Sequence, residues 1–194
     1  MFSRWTTILP LVAGWMFTYY NTKRTDERKA QIERVNDQVK LLYGPLLACV
    51  HATRAAYSAM VKQHSPNGTV EGFQKARHDN PSGAEGQAYR KWMKEVLQPL
   101  NQKAKDVIVN FMNLLDTPTV HPLLLQLVAH VSAYSVILKR WEEGAVDEWS
   151  VVPYPDKLLE HVEREFLKVK KKQADLLGLD VEGRAVTEAV RSKL

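Results

Sequence analysis

Apolar residues return every three or four positions along most of this chain. From Ile32 they fall at Val35, Val39, Leu42, Leu46, Cys49, Tyr57 and Met60, with Thr53 in the same register. That spacing draws one stripe down a helix over residues 26–63. Gly44-Pro45 interrupts the stripe in its most apolar part, LLYGPLLACV. Proline has no amide hydrogen and its ring collides with the carbonyl four residues back, here that of Leu41, so the pattern predicts a kink near Leu42 or two abutting helices.

The second half repeats the same period. Tyr89, Trp92, Met93, Val96, Leu100, Ala104, Val107, Phe111 and Leu114 mark a helix bent by Pro99. Pro122 suits a first helical turn, and Leu124, Val128, Val131, Ile137, Leu138 and Trp141 carry the next helix to Glu143 before Gly144 stops it. This one is apolar on most sides and is expected at the centre of a bundle. Pro155 opens the last long helix, in which Leu158, Leu159, Val162, Phe166, Val169 and Leu176 face inward until Gly178.

Between the first two long helices, residues 64–86 carry Ser65-Pro66-Asn67-Gly68, Gly72, Asn80-Pro81-Ser82-Gly83 and Gly86. So dense a run of turn residues predicts a mobile loop, with a short turn at 70–77. Val151-Val152, cut short by Pro153, is too brief for a strand. The expected fold is all-α: an antiparallel bundle of about four helices preceded by a single N-terminal transmembrane helix. The expected organisation is an anchor over 1–22, a bundle over 23–178 and a C-terminal tail over 179–194.

The anchor is read from Trp5 to Tyr20, sixteen residues without a charge. At about 1.5 Å each they span roughly 24 Å, near the lower limit for crossing a bilayer. Trp5, Trp15, Tyr19 and Tyr20 are of the kind that settles at headgroup depth. Arg4 precedes the stretch, whereas Lys23, Arg24, Arg28, Lys29 and Arg34 follow it. This asymmetry predicts that the large C-terminal part stays on the cytoplasmic or organelle-interior side. By analogy the layout is that of signal-anchored proteins of mitochondrial membranes. A cleaved signal peptide fits poorly, because its small-residue cleavage pair would split the apolar stretch.

Composition adds little. Net charge is +5 and is spread over every helix, so no nucleic-acid partner is expected. Cys49 is the sole cysteine and reads as a small buried hydrophobe. Of the six histidines, only His161 pairs with a carboxylate at helical spacing, Glu165, which is too few ligands for a metal. No cofactor is expected. Ser132 and Ser135 lack a nucleophile-elbow context, and no glycine-rich loop follows a strand. His130, one turn from Tyr134 on the central helix, is the candidate for a pocket, with Asn101 on the neighbouring helix. Lys168, Lys170, Lys171 and Lys172 cluster late in the last helix and read as a solvated face or a contact for lipid or an acidic partner. Phe73 is an isolated aromatic in a polar connection, to be packed inward or offered to a partner.

Four segments in combination carry a resemblance: LLYGPLLA (41–48), KWMKEVLQPLN (91–101), AHVSAYSVILKRWEEG (129–144) and SVVPYPDKLLEHVE (150–163). They resemble an uncharacterised family of N-terminally membrane-anchored helical proteins from bacteria and microbial eukaryotes. The resemblance brings no activity, cofactor or site, and implies that His130, Trp141, Pro99 and Asn101 belong to a shared structural scheme. The leading expectation is a single-pass membrane-anchored interaction or scaffold protein, or an accessory subunit of a membrane assembly, without catalysis of its own. Its partners would be membrane lipid and one or more proteins. The alternatives are a ligand-binding or enzymatic bundle with its pocket around His130 and Tyr134, and a module for anionic lipid. Lys23, Arg24, Arg28, Lys29, Lys168, Lys171, Lys172 and Phe73 are candidate lipid or partner contacts.

Overall fold

The computed structural model of the chain describes residues 5–179, with side chains from residue 14 onward. Every regular element among them is helical: α1 (Trp5–Asp37), α2 (Gly44–His64), α3 (Val70–Asp79), α4 (Ala84–Trp92), α5 (Gln98–Phe111), α6 (Pro122–Glu142) and α7 (Leu158–Leu177). Two of the joints are π-helical, Gln38–Tyr43 between α1 and α2 and Met93–Leu97 between α4 and α5. The segments therefore form five uninterrupted helical stretches. Two contact-defined units emerge, residues 38–168, and the ends 5–37 with 169–179.

Both π turns lie just before a proline, and this is the resolution of the interruption read at Pro45. A π turn opens the coil by one residue and moves the carbonyls that Pro45 and Pro99 would strike, so the helix bends without ending. Gly44 completes the first turn. A Cβ there would stand 2.6 Å from the Val39 carbonyl oxygen, and only a residue without one fits.

Residues 64–86 are not the loop that their glycines and prolines predict. Thr69 caps α3, its hydroxyl accepting from the Gly72 amide at 3.0 Å, and Gly83 precedes α4 in extended backbone. The turn residues are thus helix caps set close together. Gly86 packs so near the Pro81 carbonyl that a side chain would collide with it. Phe73 is fully buried, which corrects its candidacy as an exposed lipid or partner contact.

In the unit over 38–168, pairings show the direction of neighbouring helices. Thr53 on α2 donates to the Asn101 side chain on α5, while Gln38 before α2 donates to the Leu114 carbonyl beyond α5. Lys94, in the π turn before α5, pairs with Glu142 late in α6, and Gln98 at the start of α5 donates to the Val131 carbonyl. As one number rises the other falls, so α2 with α5 and α5 with α6 run antiparallel. One core cluster joins Leu46, Val50, Ala104, Ile108, Leu127, Val131 and Val162, and a second joins Met60, Phe73, Tyr89, Met93, Tyr134 and Trp141. α6 contributes Leu124, Leu127, Val131, Tyr134 and Trp141 to them, the central role its pattern predicts. Gly144, at φ +97°, then turns the chain as Ala145 N–H closes on the Arg140 carbonyl at 2.9 Å.

In the other unit, Arg28 on α1 donates to the Leu176 carbonyl at 2.8 Å, which satisfies a free carbonyl at the C-terminus of α7. Gln173 donates to the Asn36 side chain at 2.7 Å. Trp15, Phe17, Tyr19 and Tyr20 are exposed, with Trp15 stacked on Tyr19. Among the described residues, the helix long and apolar enough to cross a membrane by length and composition is α6, and the single N-terminal span is not supported. The reason is composition: threonines, tyrosines and Asn21 dilute a short apolar run. The tail expected at 179–194 falls, from residue 180 on, outside the described residues, and so does the side chain of Trp5.

Candidate functional site

A cavity of about 620 Å³ opens in the unit over 38–168. Its wall is built from α2, α3, α4, the π turn before α5, α5, α6, the connection before α7 and the start of α7. Exposed Arg54, Val70 and Gln74 stand toward solvent, whereas Tyr89, Met93, Leu97, Asn101, His130, Tyr134 and Leu159 are buried. The two π residues on the wall, Met93 and Leu97, exist in this position because Pro99 bends the rod. A π turn at a ligand cavity is a recurring arrangement.

His130 is fixed by the connection between α6 and α7. Its Nδ1 lies 2.8 Å from the Val152 carbonyl, which can only accept, so Nδ1 carries the proton. Nε2 is then an unprotonated acceptor with no protein partner among the described residues. Burial pushes the imidazole below its ordinary value, so the ring is neutral at pH 7. Tyr134 and Tyr154 flank it, with ring centroids 4.7 and 5.4 Å away. Burial and the charge of Asp156 push the Tyr154 phenol up to about 12.

The sequence named His130, Tyr134 and Asn101 as candidates, and all three lie on this wall. Asn101 Oδ1 is held by the Thr53 hydroxyl at 3.0 Å, so its amide nitrogen is the group left to offer. Two further features of the wall escaped the sequence. Arg77 was hidden in a segment read as a turn. Its guanidinium carbon lies 4.0 Å from the Tyr89 ring centre and 4.4 Å from that of Trp149, in the notch between them. Arg54 comes from the exposed face of a helix whose inner stripe alone, Tyr57 included, was legible.

The remaining candidates lie elsewhere. Lys23, Arg24, Arg28 and Lys29 follow the exposed aromatic residues of α1, and Trp15, Tyr19 and Tyr20 stand exposed before them. Lys168 pairs with Glu165 at 2.7 Å, and Lys171 and Lys172 are exposed on α7. His161 accepts from Arg164 through Nδ1 and stacks on His121 with ring centres 3.9 Å apart. Cys49 packs against the first core cluster, and burial raises its thiol above the ordinary value. Among the described residues, no three His, Cys, Asp or Glu side chains are grouped to hold a metal ion. No family model, curated protein or solved structure matches this chain.

Proposed function

We propose that the unit over residues 38–168 binds a small organic molecule in the cavity beside His130, Tyr134 and Asn101. The cavity itself carries this reading. Its volume of about 620 Å³ falls in the range of small-molecule sites, and its wall sets polar and charged groups such as Arg77, Asn101 and His130 among aromatic and aliphatic ones. The test uses phenylnaphthylamine, a neutral dye that brightens in apolar surroundings, and its sulfonated form. One of them should bind saturably at one site per chain, and Gln74→Trp, which sets an indole across the mouth, should abolish that binding without lowering the melting temperature. Failure of both dyes to saturate overturns the proposal.

A second observation favours attachment to a membrane surface through α1. Trp15, Phe17, Tyr19 and Tyr20 are exposed directly before Lys23, Arg24, Arg28 and Lys29. Indole and phenol rings favour the headgroup layer, and basic side chains favour its anionic lipids. The full chain should float with vesicles containing phosphatidylserine, and less with purely zwitterionic ones. Replacing the four aromatics by serine should leave it unbound, and flotation undiminished by that change would refute the attachment.

A further inference from the structure

We infer that the ligand of this cavity is an oxyanion carried on a planar ring, an aromatic carboxylate or phosphate ester, and that Arg77 is its principal contact. The inference rests on the cavity being a binding site. Among the described residues Arg77 has no carboxylate within ion-pair distance, and its Nε is buried without a hydrogen-bond partner. A guanidinium that was only structural would be expected to spend its in-plane donors on protein acceptors, since a buried donor left unmade is costly. Instead Tyr89 and Trp149 hold it by their rings, and Arg77 stands on the cavity wall with its charge unneutralised by a carboxylate.

The charges of the wall point the same way. Arg54 and Arg77 stand against one acid, Asp156, while His130 is neutral. Arg54 likewise has no carboxylate partner among the described residues, and it is exposed toward the mouth, where it can meet an incoming anion. A planar fork matches the paired oxygens of a carboxylate or phosphate, and such charge-assisted bonds are about twice as strong as neutral ones. The ring requirement comes from the aromatic side chains around His130, whose faces accept a flat group, and from His130 Nε2, which accepts a hydrogen from it.

The test compares two dyes of nearly the same shape on the full chain. Sulfonated anilinonaphthalene should bind about tenfold more tightly than neutral phenylnaphthylamine, the difference that one charge-assisted contact provides. Arg77→Gln should bring the two affinities together. Because Arg77 is packed between rings and its loss could disturb the fold, Arg54→Gln provides a second variant at an exposed position, expected to narrow the gap in part. Benzoate and phenyl phosphate should displace the sulfonated dye, the one acting at lower concentration identifying the oxyanion, and inorganic phosphate should not. Equal affinity for both dyes in the unaltered protein, or a preference that survives both substitutions, would overturn the inference and leave the cavity reading standing. Loss of saturable binding by both dyes would instead overturn the cavity reading, and this inference with it.

Discussion

Tyr89 and Tyr134 meet hydroxyl to hydroxyl, 2.8 Å apart, in the buried wall of the cavity. Burial pushes both phenols above their ordinary value, so each keeps its proton at neutral pH. One hydroxyl therefore donates to the other, and the acceptor retains an O–H of its own. The bond ties α4 to α6 and leaves one donor for the cavity. Tyr89→Phe and Tyr134→Phe should each cost about 1–2 kcal/mol, since either leaves a buried hydroxyl with less than its full complement of bonds. The double variant should cost less than the two summed, because the second change removes the group that the first had orphaned. Urea unfolding of the four proteins measures this, and strict additivity would mean that the two hydroxyls are satisfied independently.

Phe73 decides whether α3 is part of the fold or an appendage. It is fully buried in the cluster of Met60, Val61, Met93 and Tyr89, with its ring centre 6.4 Å from that of Tyr89. Phe73→Ala should cost about 3–5 kcal/mol, the usual penalty for emptying a phenyl site in a core. The same variant should weaken dye binding, because α3 also carries Arg77 and Gln74. A loss below about 1 kcal/mol in thermal or urea denaturation would show that the site collapses around the smaller side chain.

The helices of this chain were legible because burial imposes a period, and the period survives in residues such as Leu42, Leu46, Leu124 and Val131 whatever else the sequence does. What packs at the centre was equally legible in α6, whose pattern is apolar on most sides. The segment over 64–86 was misread for a physical reason: residues such as Thr69 and Gly83 serve equally in turns and as helix caps, and composition cannot separate the two uses when helices are short. The cavity was half legible. His130, Tyr134 and Asn101 stand out as polar residues on buried faces, and Tyr57 belongs to the apolar stripe of α2, but Arg77 and Arg54 lie where a charged side chain ordinarily meets water. The N-terminal span failed on arithmetic, since aromatic and hydroxyl side chains lower the mean hydropathy of a stretch that is uncharged.

His130 separates structure from ligand contact within one ring. Nδ1–H donates to the Val152 carbonyl, which also accepts from the Ser150 hydroxyl at 3.3 Å, and Nε2 has no partner among the described residues. His130→Ala should cost about 1–3 kcal/mol through the lost bond and packing. His130→Asn keeps a donor near the Nδ1 position and should recover much of that stability, while failing to restore ligand affinity. His130→Gln, which reaches toward the Nε2 position, should do the reverse. Thermal melts and dye titrations on the three variants check this, and parallel loss or recovery of both properties would make His130 a packing residue alone.

Acid should destabilise the protein through His161. The ring stacks on His121 at 3.9 Å and accepts an Arg164 hydrogen at Nδ1, with Lys168 nearby and Glu165 as the opposing carboxylate. Burial first, then the neighbouring His121, holds the imidazole below its ordinary value of 6.5. An unfolded chain would bind a proton at pH 6.5 more readily than the folded one, so stability rises with pH through the window between the lowered value and 6.5. The contribution is complete above that window and is lost as pH falls through the folded value. His130 is lowered by burial in the same direction and adds to the slope. Urea midpoints should therefore be flat from about pH 8 down to about pH 7 and fall by about pH 5.5, where ordinary histidines are mostly charged. His161→Gln cannot take up the proton, and its midpoint should fall less over the same interval, even if it starts lower for want of the stack. A variant whose midpoint drops as steeply as that of the unaltered protein would assign the acid sensitivity to His130 or to the carboxylates instead.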